Sequence, residues 1–369
     1  MKFILFDRIR KAGDNAEYLY RFLRANHKEI KIAYVLDKNS YDWDRLKKDG
    51  FNLISSNDTN TLKKEIISAD ALCFSYFTKI VSTYATQSNA KRIFLNHGCF
   101  YRTLSYLKNH KNDFDLMLAG NKFEYNVLLN KYKFPAYKIA LTGQPRQDSL
   151  IKNNAAYIGE RNNILIQFWW RPWLGKTTFE NSIFYKQVSV FLADKRLTEL
   201  ANKYNVNFLF KLHCEMEKYI ELFKKFNQVQ LVPNEDLFEP LFIKSNLLIT
   251  DMTSNVYEMG MINKPCLYYE PDWEDLKKHL LATDGDYLDI NKEGIGPVAN
   301  SVDELFNELE KLLKNNYKLD EVYNKKRKEQ IVFAQDQHSC ERAVKAIIKI
   351  INVKQQAQVN RKPKTYLYF

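Results

Sequence analysis

Two histidines stand where apolar runs stop. Arg92–Asn96 (RIFLN) leads into His97-Gly98, and Asn207–Leu212 (NFLFKL) leads into His213. An imidazole titrates near pH 6.5, so each suits proton transfer at neutral pH. Gly98 lets backbone or ligand approach closely. A third stretch, between Ser245 and Glu270, offers different chemistry. Leu247, Leu248 and Ile249 read as a strand buried on both faces, and Thr250, Asp251, Met252, Thr253 and Ser254 switch to turn and cap residues. Val256 to Ile262 reads as a short helix stopped by Asn263-Lys264-Pro265, and Cys266 to Tyr269 as the next strand. Free amides at a helix start, with hydroxyls from Thr253 and Ser254, suit a phosphate. The same residues equally suit a plain helix cap, and each histidine a satisfied, partly buried position.

Two further segments carry cations in unusual settings. Gly143-Gln144-Pro145-Arg146-Gln147-Asp148 forces a tight turn in which Arg146 can grip an anion or merely link domains. Phe168-Trp169-Trp170-Arg171-Pro172-Trp173 can stack on a base or sugar, or form a packed core edge. His27, His110, His279 and His338 lie in polar helical or loop contexts and are given no role. The chain contains no GxxxxGK[ST], GxGxxG, HExxH or GxSxG. Three DxD triplets are of a kind common in charged chains and do not read as a metal site.

These residues must be held by a scaffold, and the pattern of the chain describes one. Strand-like runs at Lys2–Phe6, Ile30–Leu36, Phe51–Ser55, Ala71–Ser75, Arg92–Asn96, Leu116–Ala119 and Lys138–Thr142 alternate with helical segments such as Ala16–Asn26. The alternation restarts at Asn163–Phe168, with a long helix predicted over Phe184–Tyr204 and a last one over Cys340–Val353. Repeated βα units imply parallel sheets covered by helices. We expect two doubly wound, Rossmann-like α/β domains, 1–150 and 151–353, with a cleft between them and a basic, aromatic tail, 354–369. Strand carboxyl ends would face that cleft, so the imidazoles of His97 and His213 would share one ligand.

The chain has 369 residues, 45% of them hydrophobic and 27% charged, enough for two separate cores. No apolar run is long enough to span a bilayer, and the apolar stretch after Met1 is too short for a signal peptide. The five cysteines form no CxxC pair and suggest a reducing compartment. Net charge is +12, and Lys314–Phe369 holds 13 Lys or Arg against 5 Asp or Glu. That basic end suits an anionic partner such as the inner membrane leaflet or nucleic acid, or simply a solvated face. The basic residues lack the repeated aromatic interleaving of an RNA-binding sheet, and no nucleic acid partner is expected.

In order, these segments resemble the CDP-glycerol glycerophosphotransferase family, which builds teichoic acids and related polymers. Its W-H-G-T is matched by Asn96-His97-Gly98-Cys99 and its G-x-P-R-N-D by Gly143 to Asp148. Its P-T-W-R is similar to Trp169-Trp170-Arg171, and its K-L-H-P to Lys211-Leu212-His213-Cys214. Its T-D-Y-S-S-x-x-F-D, followed by K-P, is matched by Thr250 to Glu258 with Lys264-Pro265. A fainter likeness lies at Gly13-Asp14-Asn15. The resemblance implies a GT-B-like fold, with acceptor binding mainly in the first domain and donor binding mainly in the second. His97 would deprotonate the acceptor hydroxyl, and His213 would stabilise the diphosphate or protonate departing CMP. Gly98, Arg146, Arg171, Lys211, Asp251, Thr253, Ser254 and Glu258 would bind substrate, Glu258 at the cytidine ribose. No metal is assigned and no cofactor is required beyond CDP-glycerol as donor, with Mg2+ left open. Asn96, Cys99 and Phe100 depart from the family's usual Trp, Thr and Pro, which bears on the acceptor more than on the reaction. The length is closer to that of priming enzymes than of long polymerases.

The expected activity is transfer of glycerol phosphate, or a related polyol phosphate, from a CDP-alcohol to a saccharide or undecaprenyl-diphosphate-linked acceptor in teichoic acid, capsule or O-antigen synthesis. The protein would work in the cytoplasm, peripheral at the inner face of the plasma membrane, with the tail as a contact. The alternative is a nucleotide-sugar-dependent GT-B glycosyltransferase.

Overall fold

The computed structural model describes residues 1–78, 83–84, 87–98, 107, 112–284, 287, 289–331 and 333–352. The tail 354–369, Cys99 and Phe100 lie outside them. The chain divides into two compact units. One runs from Met1 to about Lys152 and takes up the chain again from Phe333, and the other is essentially Asn153–Val332.

The first unit is built on seven parallel strands: β1 (Lys2–Phe6), β2 (Lys31–Leu36), β3 (Leu53–Ser55), β4 (Ala71–Phe74), β5 (Lys91–Phe94), β6 (Leu116–Ala119) and β7 (Ile139–Leu141). Their spatial order is β3-β2-β1-β4-β5-β6-β7. From β1 the chain winds outward through β2 and β3, then returns to build the other half from β4. The direction of winding therefore reverses between β1 and β4. Beyond the carboxyl ends of such a strand pair the connecting loops diverge and leave a crevice. Strands such as Ala71–Phe74 and Leu116–Ala119 are buried at every residue because helices cover both faces.

One of those covering helices corrects the expected domain boundary. The closing helix, Ser339–Asn352, lies in the first unit, although the sequence placed it with the second domain. Its apolar stripe, Ala343, Val344 and Ile347, joins the cluster formed by Phe3, Leu5, Leu19 and Leu23. Fully burying a Val or Ile side chain stabilises by about 1.5–3 kcal/mol, so this stripe commits the helix to the first sheet.

The second unit holds six parallel strands: β8 (Asn163–Gln167), β9 (Asn207–Lys211), β10 (Gln230–Val232), β11 (Ser245–Thr250), β12 (Cys266–Tyr269) and β13 (Val298–Ala299). Their order is β10-β9-β8-β11-β12-β13, with winding reversed between β8 and β11. The long helix predicted over Phe184–Tyr204 is two, Ile183–Ala193 and Arg196–Tyr204. Asp194 adopts an extended conformation, and its carboxylate accepts from the amide of Arg196, so it ends one helix and starts the next. Among the described residues, no helix is long and apolar enough to cross a membrane.

Candidate active site

In the first unit, polar residues collect at the winding reversal. Asp7 follows β1 and is fully buried. Its carboxylate accepts from the amides of Asp14, Ala16 and Glu17 at 2.9, 2.8 and 3.2 Å, and from the Tyr34 and Ser75 hydroxyls at 2.8 and 2.5 Å. Burial and neighbouring Asp14 push its pKa up to about 7 against these five donors. Asp7 thus fixes the start of helix Asn15–Asn26 and the loop that carries Asp14.

Asp14 is the hub. Arg146 Nη1 donates to Asp14 Oδ1 at 2.6 Å and to the His97 carbonyl at 2.8 Å. His97 Nδ1 lies 3.6 Å from Asp14 Oδ2, outside hydrogen-bond range but within ion-pair range. Burial raises Asp14, but Arg146 and His97 outweigh it and hold its pKa below the usual carboxylate range. The His97 ring stacks on Tyr76, with centroids 4.2 Å apart, and Tyr76 accepts a hydrogen bond from Arg8. Even so, 43% of the His97 side chain is exposed, enough to meet a substrate. The surrounding protein lowers its pKa, with Arg8 and Arg146 acting in the same direction and Asp14 against them. At neutral pH the imidazole is therefore mainly uncharged. With Nδ1 turned toward a carboxylate, its proton belongs there and Nε2 keeps a lone pair.

The loop that aims His97 depends on Asn96. This residue has φ of 60°, a left-handed conformation that Asn tolerates better than most side chains. Its carbonyl accepts from Asn15 Nδ2 at 2.9 Å, and its Nδ2 donates to Glu124 Oε1 at 2.7 Å. Its Oδ1 accepts from the His97 amide at 2.8 Å. Asn15 Oδ1 also accepts from the Arg146 amide at 3.2 Å, which ties the start of helix Pro145–Ala156 to the same knot; the tight turn expected over Gly143–Asp148 is in fact the entry and first turn of that helix. Gly98 is buried beside it.

The second unit carries its polar residues beyond β8, β9 and β11. His213 begins a run of 3-10 turns, Cys214–Leu222, and its Nδ1 accepts from the Glu215 amide at 3.2 Å. Neutral His213 therefore carries its proton on Nε2, as a donor. Its ring is nearly parallel to Trp170, with planes 14° apart and centroids at 6.1 Å. Thr250 Oγ1 donates to the Gln167 carbonyl at 2.6 Å, so the 2.8 Å contact between Thr250 and Thr253 uses the Thr253 proton. Ser254 occupies the N-cap position of helix Asn255–Met261, yet its hydroxyl makes no capping bond.

Five expected ligand contacts, Arg171, Asp251, Lys211, Thr253 and Glu258, are sequestered instead. Arg171 is fully buried between Asp251, which accepts from Nη1 at 2.8 Å, and Asp272, which accepts from Nη2 at 2.6 Å and from Nε at 2.8 Å. Both carboxylates satisfy the guanidinium, so it pins the 168–173 loop and does not reach out to an anion. Asp251 also accepts from the Trp169 amide at 2.7 Å. Burial pushes its pKa up to about 6, opposed by Arg171 and the Trp169 amide. Lys211 is buried with Nζ donating to the Pro233 carbonyl at 2.6 Å. The Thr253 hydroxyl, expected to offer its proton to phosphate, is held by Thr250. Glu258 is 2% exposed within its helix. Lys264 of the Lys-Pro pair donates to the Phe242 and Ile243 carbonyls at 2.7 and 2.6 Å, closing helix Phe238–Lys244.

The structure thus places His97, Gly98 and Arg146 together in one unit. His213, Asp251, Thr253 and Ser254 lie at the carboxyl ends of strands in the other. Sequence reasoning missed Asp14, Asn15, Asn96, Tyr76 and Trp170 as positioning residues. Gly13-Asp14-Asn15 was the only visible signal for the first two, and the tryptophan cluster for the last. No group of three His, Cys, Asp or Glu among the described residues is arranged to hold a metal.

Comparison with known proteins bears on the family and the fold. The chain is 27% identical, over 95% of its length, to the minor teichoic acid biosynthesis protein GgaB of Bacillus subtilis (strain 168), of which it covers 40%. It is 24% identical over 56% of its length to the teichoic acid glycerol-phosphate transferase of Staphylococcus aureus (strain NCTC 8325 / PS 47), of which it covers 53%. It therefore spans about half or less of these relatives. Among solved structures, wall teichoic acid polymerase TagF soaked with CDPG superposes with a TM-score of 0.67 at 13% identity, covering 95% of this chain and 88% of that one. The UDP-GlcNAc 2-epimerase of Methanocaldococcus jannaschii gives 0.59 at 14%, covering 95% and 100%. At such identities the likeness concerns the fold, which is GT-B-like. Residues 1–349 match the model of one family. The chain belongs to the CDP-glycerol:poly(glycerophosphate) glycerophosphotransferase family.

Proposed function

We propose that the chain is a glycerophosphotransferase. It moves glycerol phosphate, or a related polyol phosphate, from a CDP-alcohol to a saccharide or lipid-linked acceptor in teichoic acid or related envelope polymer synthesis. The observation that carries this reading is the uncharged, partly open His97, oriented by Asp14 and Arg146 at the winding reversal of the first sheet. In this reading Nε2 of His97 takes the proton of an acceptor hydroxyl. The oxygen attacks the β-phosphorus, the bond from that phosphorus to the bridging oxygen breaks, and CMP departs. His213 Nε2–H donates to the departing phosphate. The Ser254 hydroxyl and the amides behind it hold the phosphate oxygens. Such transfer rests mainly on positioning and on stabilising charge at phosphate oxygens.

Arg171, Asp251 and Lys211 keep the donor-side loops in place, and Glu258 acts from within its helix on the ribose side. No cofactor beyond the donor is required in this reading and Mg2+ is left open; CMP release with and without EDTA decides it. Membrane contact, through the basic segment after Lys354, is part of the same proposal.

The test is CMP release from CDP-glycerol with saccharide and undecaprenyl-diphosphate-linked acceptors. The wild type should release CMP, and His97→Ala should lose activity by about 10² to 10⁴-fold with its melting temperature kept. Absence of CMP with every donor and acceptor, or stabilisation by UDP-sugars and not by CDP-glycerol, would overturn the reading in favour of a glycosyltransferase.

A further inference from the structure

At the opposite pole of the second sheet from Thr250–Ser254 there is a cleft of about 480 Å³. Asn246, at the start of β11, and Pro265, just before β12, lie on its wall. Four residues of strand, about 13 Å, separate Asn246 from Thr250. Lys264, Lys318 and Arg327 line the cleft, and among the described residues no Asp or Glu does. Arg161 adds positive charge close to Lys264.

Two further features belong to the same wall. Arg327 Nε is buried and makes no hydrogen bond among the described residues, in a chain where the large majority of buried polar atoms are expected to be paired. Asn263, Asn316 and Tyr317 all have φ between 51° and 61°. Left-handed backbone at non-glycine residues is uncommon and clusters where a ligand or switch requires it. Asn246 and Asn324 also line the cleft; their Nδ2 groups donate to the Arg161 and Leu319 carbonyls, which leaves each one further N–H.

We propose that this cleft is a second anion site, which binds a phosphate group borne by a small molecule or a lipid headgroup. Lys318 and Arg327 make the charged contacts. Lys264 lies within the wall with its Nζ tied to two helix carbonyls, and burial together with Arg161 lowers its pKa to about 7, so it adds only part of a charge. The site lies away from the strand ends that carry His213 and Ser254, so its ligand does not compete with a ligand there.

The experiment titrates the full chain with inorganic pyrophosphate by calorimetry, comparing wild type with R327Q/K318E. With CMP present in excess to occupy the strand-end site, wild type should still show a binding event, and the double variant should weaken it at least tenfold. K318Q alone, a change at an exposed side chain, should weaken the same event by a smaller factor without altering the melting temperature. Co-sedimentation with vesicles of phosphatidylcholine and phosphatidylglycerol separates the sources. Recruitment of wild type and not of R327Q/K318E identifies a lipid headgroup, whereas pyrophosphate binding without differential recruitment identifies a small molecule. Identical titrations and identical recruitment for wild type and both variants would overturn the proposal.

Discussion

His97 and Asp14 are tuned against each other, and the tuning is measurable. A base must be uncharged to accept a proton, and the pKa of His97 is lowered from the ordinary 6.5. The acid limb of kcat/KM should therefore lie below pH 6.5, with full activity retained above it. Replacing Asp14 with Asn removes the carboxylate that faces Nδ1 and partners Arg146. We expect kcat to fall by on the order of 10²-fold with KM changed much less, and the acid limb to move further down, because the attraction that favours imidazolium is lost. A purely structural role would lower the melting temperature without moving the limb. Arg171 obeys a different rule. Its removal would strand two carboxylates in the interior, so Arg171→Met should destabilise by about 3–5 kcal/mol in urea unfolding.

At the scale of elements, the strands were plain in the sequence and their long-range partners were not. Runs such as ALCF and LMLA are buried on both faces and therefore continuously apolar, which makes them visible without context. His97 and His213 were legible for the same reason, since each directly follows such a run. Asp14 looked like any residue before a helix. Its role arises from Arg146 and His97, far away in the chain. Asn96 read as a motif residue changed from Trp, but its left-handed backbone and its bonds to Asn15 and Glu124 became visible only in three dimensions. The buried Asp251–Arg171–Asp272 triad hid in the same way, because Arg171 beside three tryptophans looks like a ligand contact until both acids appear. For the closing helix, the apolar stripe announced a buried face but not which sheet would bury it. Ile347→Ala should cost about 2–5 kcal/mol and should loosen the first unit, seen as faster amide exchange in β1 and β5 with the second sheet unaffected.

On the scale of the whole molecule, two sheets share one design, with winding reversed beside β1 in one and beside β8 in the other. The two histidines that the sequence singled out follow the strands next to these reversals, His97 after β5 beside β4 and His213 after β9 beside β8. The family match covers residues 1–349 and so includes almost all of the closing helix. That helix also governs how the protein is made. The first unit lacks a wall of its core until residues 339–352 leave the ribosome, about 200 residues after its first stretch ends at Lys152, with the whole second unit made in between. At 5–20 residues per second that interval is about 10–40 s. For that time the nascent first sheet presents an uncovered apolar face. Chaperone capture should be strongest in this window, and a chain interrupted before Ser339 should be far more prone to aggregate than its length alone suggests.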